Sequence, residues 1–222
     1  MSAGDDSHRD LLPRRDGDED DALMRAWARG DAGAFERLYA RHRLALYRFV
    51  RRMLGREAAS HSDEVFQDTW LRVIGARERW SPQGASFRTW LFTLAHHRAI
   101  DVLRRSGREV SLGGAGDDDP DRAPWQPASE AEAWRDWPPA GAAVEDGVFW
   151  RAAGQRLLDC LDTLPAPQRS AFLLHHEDGL ALPELARALE VGFETAKSRL
   201  RYAMAKLRAC MGAYLPAGQG SA

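Results

Sequence analysis

Apolar residues recur at steps of three and four along most of this chain, the spacing of one buried helix face. Over 22–54 the pattern runs Leu23, Ala26, Trp27, then Phe35, Leu38, Tyr39, then Leu46, Phe49, Val50, Met53 and Leu54. Gly30-Asp31 predicts a break into two helices, with Asp31 as an N-cap and Gly55 as a C-terminal stop. A further helix is predicted over 62–79, where Val65, Phe66, Thr69, Trp70 and Val73 share the apolar side, and Ser81-Pro82-Gln83-Gly84 closes it. The next spans 87–105, with Trp90, Leu91, Leu94, Ala95, Ile100 and Leu103 facing inward. No stretch of this half sustains strand alternation.

After 106 the pattern stops. Residues 107–146 hold Gly113-Gly114, Asp117, Asp118, Asp119 and five prolines, and read as a linker that also carries Trp125, Trp134 and Trp137. Helical spacing resumes near 148 with Leu157, Leu158, Leu161 and Leu164, and a short helix follows around Ala171 to Leu174. Two more follow, marked by Leu182, Leu185, Ala186 and Leu189, then by Ala196, Leu200, Ala203, Met204 and Leu207, with Gly192 as the expected turn between them. The second opens with hydroxyl and cationic side chains, as a helix-turn-helix does when its second helix enters a DNA groove. An ordinary antiparallel helix pair with a solvated basic face has the same local pattern, so the rest of the chain must decide.

The fold class expected is therefore all-α: two small helical domains joined by a long acidic linker, the C-terminal one containing a helix-turn-helix. The expected divisions are a disordered acidic tail over 1–21, a first domain over 22–106, the linker over 107–146, a second domain over 147–214 and a disordered tail over 215–222.

The net charge of −2 hides an uneven distribution. Residues 1–24 carry 3 basic groups against 8 acidic, 25–108 carry 17 against 8, 109–150 carry 2 against 10, and 151–222 carry 9 against 7. A basic body with acidic connectors suits a nucleic-acid partner. The first 21 residues offer no apolar run for a signal peptide or membrane anchor, so a cytoplasmic protein is expected. Cys160 and Cys210 lie far apart without a CxxC pair and are expected to be buried free thiols. His96-His97 and His175-His176 lack a supporting ligand cluster, so no metal and no cofactor is expected. No nucleophile–base pattern or phosphate-cradling loop marks an enzyme.

Several ordered blocks together resemble the extracytoplasmic-function group of bacterial sigma factors, within the sigma-70 family. They are Ala34-Phe35-Glu36-Arg37-Leu38-Tyr39 with Arg41-His42, the block from Asp63 to Leu71, Phe87-Arg88-Thr89-Trp90-Leu91, the block from Leu94 to Arg105, Leu164-Pro165, Glu177-Asp178-Gly179-Leu180 and Lys197-Ser198-Arg199-Leu200. The resemblance implies a transcription initiation factor that binds the beta and beta-prime subunits of core RNA polymerase, recognises the −10 and −35 promoter elements and assists melting. It also makes an anti-sigma factor an expected partner.

Carried over by position, Asp63, Glu64, Gln67, Asp68 and Thr69 form the core-polymerase surface. The −10 set is Trp80, Ser81, Gln83, Arg88, His97, Arg98, Asp101, Arg104 and Arg105. The −35 set is Glu194, Thr195, Lys197, Ser198, Arg199, Arg201 and Tyr202. His97 departs from a frequent asparagine, Glu194 from a common glycine and Tyr202 from a frequent arginine, which points to altered base preference. Glu194 can accept from cytosine N4. The resemblance also implies that the linker threads the polymerase cleft; its own acidic groups and tryptophans are expected to imitate single-stranded nucleic acid there. The alternative functions are a free-standing helix-turn-helix regulator and a sigma-like factor inhibited by its own acidic tail or linker.

Overall fold

The computed structural model describes residues 16–56, 58–81, 85–106, 147–177 and 179–214. Among them every regular element is helical: α1 (Asp16–Ala28), α2 (Ala32–Leu54), α3 (Ser62–Gly75), α4 (Phe87–Arg105), α5 (Gly147–Asp162), α6 (Ala166–His176), α7 (Leu182–Ala188) and α8 (Phe193–Met211). The linker residues 107–146, with Trp125, Trp134, Trp137 and the aspartates discussed above, lie outside the described residues, as do Gln83 and the C-terminal residues 215–222.

The first four helices pack as a bundle. Gly30 takes a left-handed φ of 108° between α1 and α2, and the Asp31 side chain caps α2 by accepting from the Ala34 N–H at 3.2 Å. Ser86 caps α4 by accepting from the Thr89 N–H. Leu38, Leu46, Phe49, Val65, Val73, Phe87 and Leu91 are fully buried, and the Phe49 and Phe92 rings meet edge-on at 5.2 Å. α3 ends at Gly75, four residues before the expected end, with turn hydrogen bonds continuing to Trp80.

The acidic N-terminal segment is also more structural than expected. α1 begins at Asp16, inside the segment assigned to a disordered tail, because its carboxylates find specific donors. Asp20, 1% exposed, accepts from Arg41 Nη1 and pairs with His42 Nε2, both at 2.7 Å. Asp21 accepts from the Phe87 N–H at 2.8 Å and so ties α1 to the start of α4.

In the second domain α5 and α6 support the α7–α8 pair. Leu185, Ala196, Leu200, Ala203 and Leu207 are buried, as their spacing requires. Gly192 stands in the turn between α7 and α8 as expected, capping α8 in an extended conformation (φ −63°, ψ 154°). The positive φ falls on Glu190, at 53°, a geometry that costs a residue with a Cβ about 1 kcal/mol or more.

The expectation of free thiols is overturned. Cys160 on α5 and Cys210 on α8 form a disulfide, their Cα atoms 5.8 Å apart. Two helices distant in sequence lie side by side here, a proximity that residue spacing does not reveal.

The domains pack against each other through polar contacts, of which Arg169 is the buried one. The Arg169 guanidinium reaches from α6 to the Met53 carbonyl at 3.2 Å and to the Leu164 carbonyl at 3.0 Å. Arg52 pairs with Glu177, and Arg56 with Asp159 and Asp162. Gly55, with φ 66°, sits at this junction, where a Cβ would stand 2.7 Å from Arg169 Nη1 and 2.8 Å from Asp162 Oδ1. The positive φ favours glycine there, and a Cβ would also push aside the tips of the Arg169 and Asp162 side chains.

Candidate nucleic-acid and polymerase interface

The acidic face of α3 presents Asp63, Glu64 and Gln67 to solvent, with Asp68 half-buried beside them. Tyr47 donates its hydroxyl to Asp63 at 2.9 Å. Thr69 does not belong to this surface: it is fully buried and donates to the Val65 carbonyl at 2.7 Å, as a hydroxyl on the apolar side of a helix does. In its place Leu71 and Ile74 stand 63% and 46% exposed. With Gln67 they follow helical steps of four and three, so the spacing alone could have found them.

Arg98 also changes role. Its side chain, 9% exposed, donates from Nε to Asp68 at 2.6 Å and from Nη2 to Glu64 at 2.7 Å. A guanidinium fork held by two carboxylates on α3 is a brace between helices and is turned away from any phosphate in this arrangement.

The remaining −10 candidates divide by exposure. Trp80 is half-buried, its ring 6.3 Å from Phe87 and 6.4 Å from Trp90, so the bundle already uses most of its surface. Ser81 is exposed. Arg88 donates to the Glu177 carbonyl at 2.8 Å and lies over the Phe92 ring. Arg104 and Arg105 are exposed in the last turn of α4, Arg104 loosely paired with Asp101 at 4.0 Å. His97 Nε2 is 3.6 Å from Glu190 in the α7–α8 turn.

On α8, Glu194 is exposed and pairs with Lys197 at 3.7 Å. Thr195, Ser198, Arg199, Arg201 and Tyr202 are half-buried, and the Arg201 guanidinium lies 4.7 Å from the Tyr202 ring centroid. Phe193, 45% exposed at the start of α8, adds an apolar side chain to this surface that polar and cationic residue types do not signal.

The two candidate reading surfaces meet. A cavity of about 360 Å³ is lined by His96, His97, Asp101 and Arg104 from α4 and by Glu190 and Arg199 from the helix-turn-helix. Burial there lowers the Arg199 pKa from its ordinary value. His96 is buried with no partner on Nδ1, and burial, together with His97, Arg199 and Arg104, pushes its pKa down to about 3. Among the described residues no group of three His, Cys, Asp or Glu side chains is placed to hold a metal.

A four-helix basic domain whose α3 carries an acidic outward face is followed by a domain built around a helix-turn-helix. Comparisons with known proteins carry this further. Residues 38–109 match the family Sigma-70 region 2 and residues 154–207 match Sigma-70, region 4. The chain is 32% identical over 196 residues to the ECF RNA polymerase sigma factor SigK of Mycobacterium sp. (strain KMS), covering 86% of this chain and 90% of that protein. It is 31% identical over 195 residues to SigK of Mycobacterium tuberculosis (strain ATCC 25177 / H37Ra), covering 86% and 92%.

Two solved structures share the fold. CnrH, solved with the cytosolic domain of CnrY, gives a TM-score of 0.57 at 24% identity over 88% of this chain and 98% of that one. The sigma factor RpoE of Bartonella quintana, solved with the anti-sigma factor NepR, gives 0.54 at 20% identity over 80% and 96%. The chain belongs to the ECF RNA polymerase sigma factor family. It is a transcription initiation factor that directs core RNA polymerase to promoters.

Proposed function

We propose that α3 docks on core polymerase through Asp63, Glu64, Gln67 and Asp68 with Leu71 and Ile74 as the apolar part of the contact. α4 and the loop before it then recognise and open the −10 element, and α8 reads the −35 element as duplex. The observation that supports this most is the outward face of α3, where carboxylates border two large exposed aliphatic side chains, the mixture that a protein interface uses. The test is core binding: Leu71→Asp with Ile74→Asp should abolish co-elution with core polymerase while the variant keeps its helical content. Unchanged co-elution would remove α3 from the docking role.

At the −10 element, Ser81, Asp101, Arg104 and Arg105 are the accessible candidates, and Arg88 and His97 become available when the second domain moves away. Opening costs a few kcal/mol for each unstacked step, so a displaced base must be captured by protein. At the −35 element Lys197, Ser198, Arg201 and the N-terminal residues Glu194 and Thr195 are the major-groove candidates, with Tyr202 beside Arg201. Arg199 joins them once its cavity with His96 opens. Arg88, His97 and Arg199 reach promoter DNA only if the two domains part, and polymerase binding is the event that we infer separates them.

The same reading makes the protein cytoplasmic and without catalytic chemistry of its own. Among the described residues no helix is long and apolar enough to cross a membrane. The solved relatives bound to an anti-sigma factor and to the CnrY cytosolic domain support an anti-sigma partner for this chain as well.

A further inference from the structure

Between the last turns of α2 and the middle of α5 lies a groove of about 440 Å³, floored by Leu158 and Leu161 and walled by Arg48, Arg51, Arg52 and Arg56. Arg52 and Arg56 are matched by Glu177, Asp159 and Asp162. Arg48 and Arg51 are exposed, and neither makes an ion pair among the described residues; Arg48 turns its Nε to the Leu44 carbonyl at 3.3 Å. The carbonyl end of α2 attracts cations in its final turn, but Arg48 lies beyond that reach. Apolar surface accompanies the charge: Leu158 in the groove is 37% exposed, and Leu44, one turn before Arg48 and outside the groove's lining, is 60% exposed. The groove therefore fits a segment that brings both carboxylates and large apolar side chains.

We propose that this groove holds the acidic, tryptophan-bearing segment 117–137 of the same chain. That segment carries seven carboxylates against two arginines, with Trp125, Trp134 and Trp137 among them, so its charge and its apolar groups both complement the groove.

The chain's connectivity places it within reach. The linker ends where α5 begins at Gly147, and Leu158 lies 11 residues further along that helix, about 16 Å away. Gly147 lies ten positions after Trp137, a stretch that spans up to about 33 Å when extended, enough to double back along α5. Tethering supplies an effective concentration of about millimolar, so even a weak fit is occupied. Because the groove is built from α2 of one domain and α5 of the other, the seated segment would strap the domains together. The roles proposed for α3, α4 and α8 are independent of it.

The test uses the full chain with the photo-crosslinking residue p-benzoylphenylalanine in place of Leu158, cross-linked peptides being mapped by mass spectrometry. Cross-links to residues 117–137 are expected, falling several-fold in the double variant Arg48→Glu, Arg51→Glu and on raising salt from 0.05 to 1 M, because solvent-exposed charge pairs are screened. Asp117→Asn, Asp118→Asn, Asp119→Asn and Asp121→Asn together should give the same fall without altering any described residue, which separates loss of the contact from a folding defect in α2. Adding Asp117→Arg and Asp119→Arg to the arginine-reversed chain should restore the yield. Cross-links that ignore these changes, that miss 117–137, or that capture a nucleic acid or a second protein instead would overturn the proposal.

Discussion

Arg88 Nη2 donates to the main-chain carbonyl of Glu177 across 2.8 Å, joining the first turn of the −10 candidate helix to the residue that follows α6 in the second domain. One hydrogen bond thus uses a promoter-reading candidate to hold the two domains together, and its neighbours Arg52–Glu177 and Arg169–Met53 do the same work nearby.

Arg169→Ala is the most direct way to loosen that junction. The substitution removes donors to the Met53 and Leu164 carbonyls and leaves them buried without their partner, at a cost of about 1–3 kcal/mol. Small-angle scattering should show a larger radius of gyration, and binding to −35 duplex without polymerase should strengthen as Arg199 is uncovered. An unchanged radius with unchanged binding would contradict a junction that hides the reading helix.

Arg98→Ala should act through stability and not through DNA. Glu64 and Asp68 would lose their shared partner, and because both carboxylates remain partly exposed the loss is discounted to about 1–3 kcal/mol in denaturant unfolding. A phosphate contact would instead change the salt dependence of promoter binding, by close to one unit of slope. Arg98→Ala leaving stability intact while lowering that slope would return the residue to the DNA-binding set.

Much of the framework was legible in the chain. The Asp31 cap, the Gly55 stop, the 87–105 helix and the helix-turn-helix stripe all follow from local spacing, because each is decided within a turn or two of sequence. The residues misjudged are those whose roles depend on distant partners. Arg98 resembles a phosphate ligand until Glu64 and Asp68 are seen across the bundle. Thr69 is a different case: its spacing already places it on the apolar side of α3, where it is buried and donates to the Val65 carbonyl, and only the family resemblance puts it on the docking surface. Cys160 and Cys210 give no sign of each other across 50 positions. Glu190 takes a positive φ in the α7–α8 turn, which residue type does not announce, and that turn faces His97.

The disulfide predicts a redox-dependent stability for the second domain. Closing a 50-residue separation removes unfolded-state entropy equivalent to about 4 kcal/mol at most. Such bonds are uncommon in a reducing cytoplasm. Unfolding followed by circular dichroism with and without a phosphine reductant should show a lower midpoint after reduction. Coincident curves would mean the cross-link adds no stability.

Acidification should destabilise the folded chain through His96 and His176. Burial and neighbouring groups hold His96 at about 3, and burial with His175 holds His176 at about 4, both below the ordinary 6.5. The unfolded chain therefore takes up these protons first as pH falls. Their stabilising contribution is complete above about pH 6.5 and is lost progressively toward pH 4 and 3, each costing about 1.4 kcal/mol at pH 5.5. Asp20 acts in a lower window. Burial alone would raise its pKa, but hydrogen bonds and charge from His42 and Arg41 outweigh it, so its contribution persists above 3.8 and fades below. Urea unfolding at pH 7.5 and 5.5 should show the loss, reduced in His96→Phe; equal stability at both values would contradict the buried neutral histidines.

The central claim, a promoter-directing factor that grips DNA at two places through polymerase, is tested most directly by run-off transcription on genomic fragments with purified core polymerase. Transcripts with defined starts are expected only when the protein is added, downstream of a shared pair of sequence elements, and should be lost in Lys197→Ala combined with Arg201→Ala. Absence of any start dependent on the protein, or equally specific promoter binding without core polymerase, would contradict it.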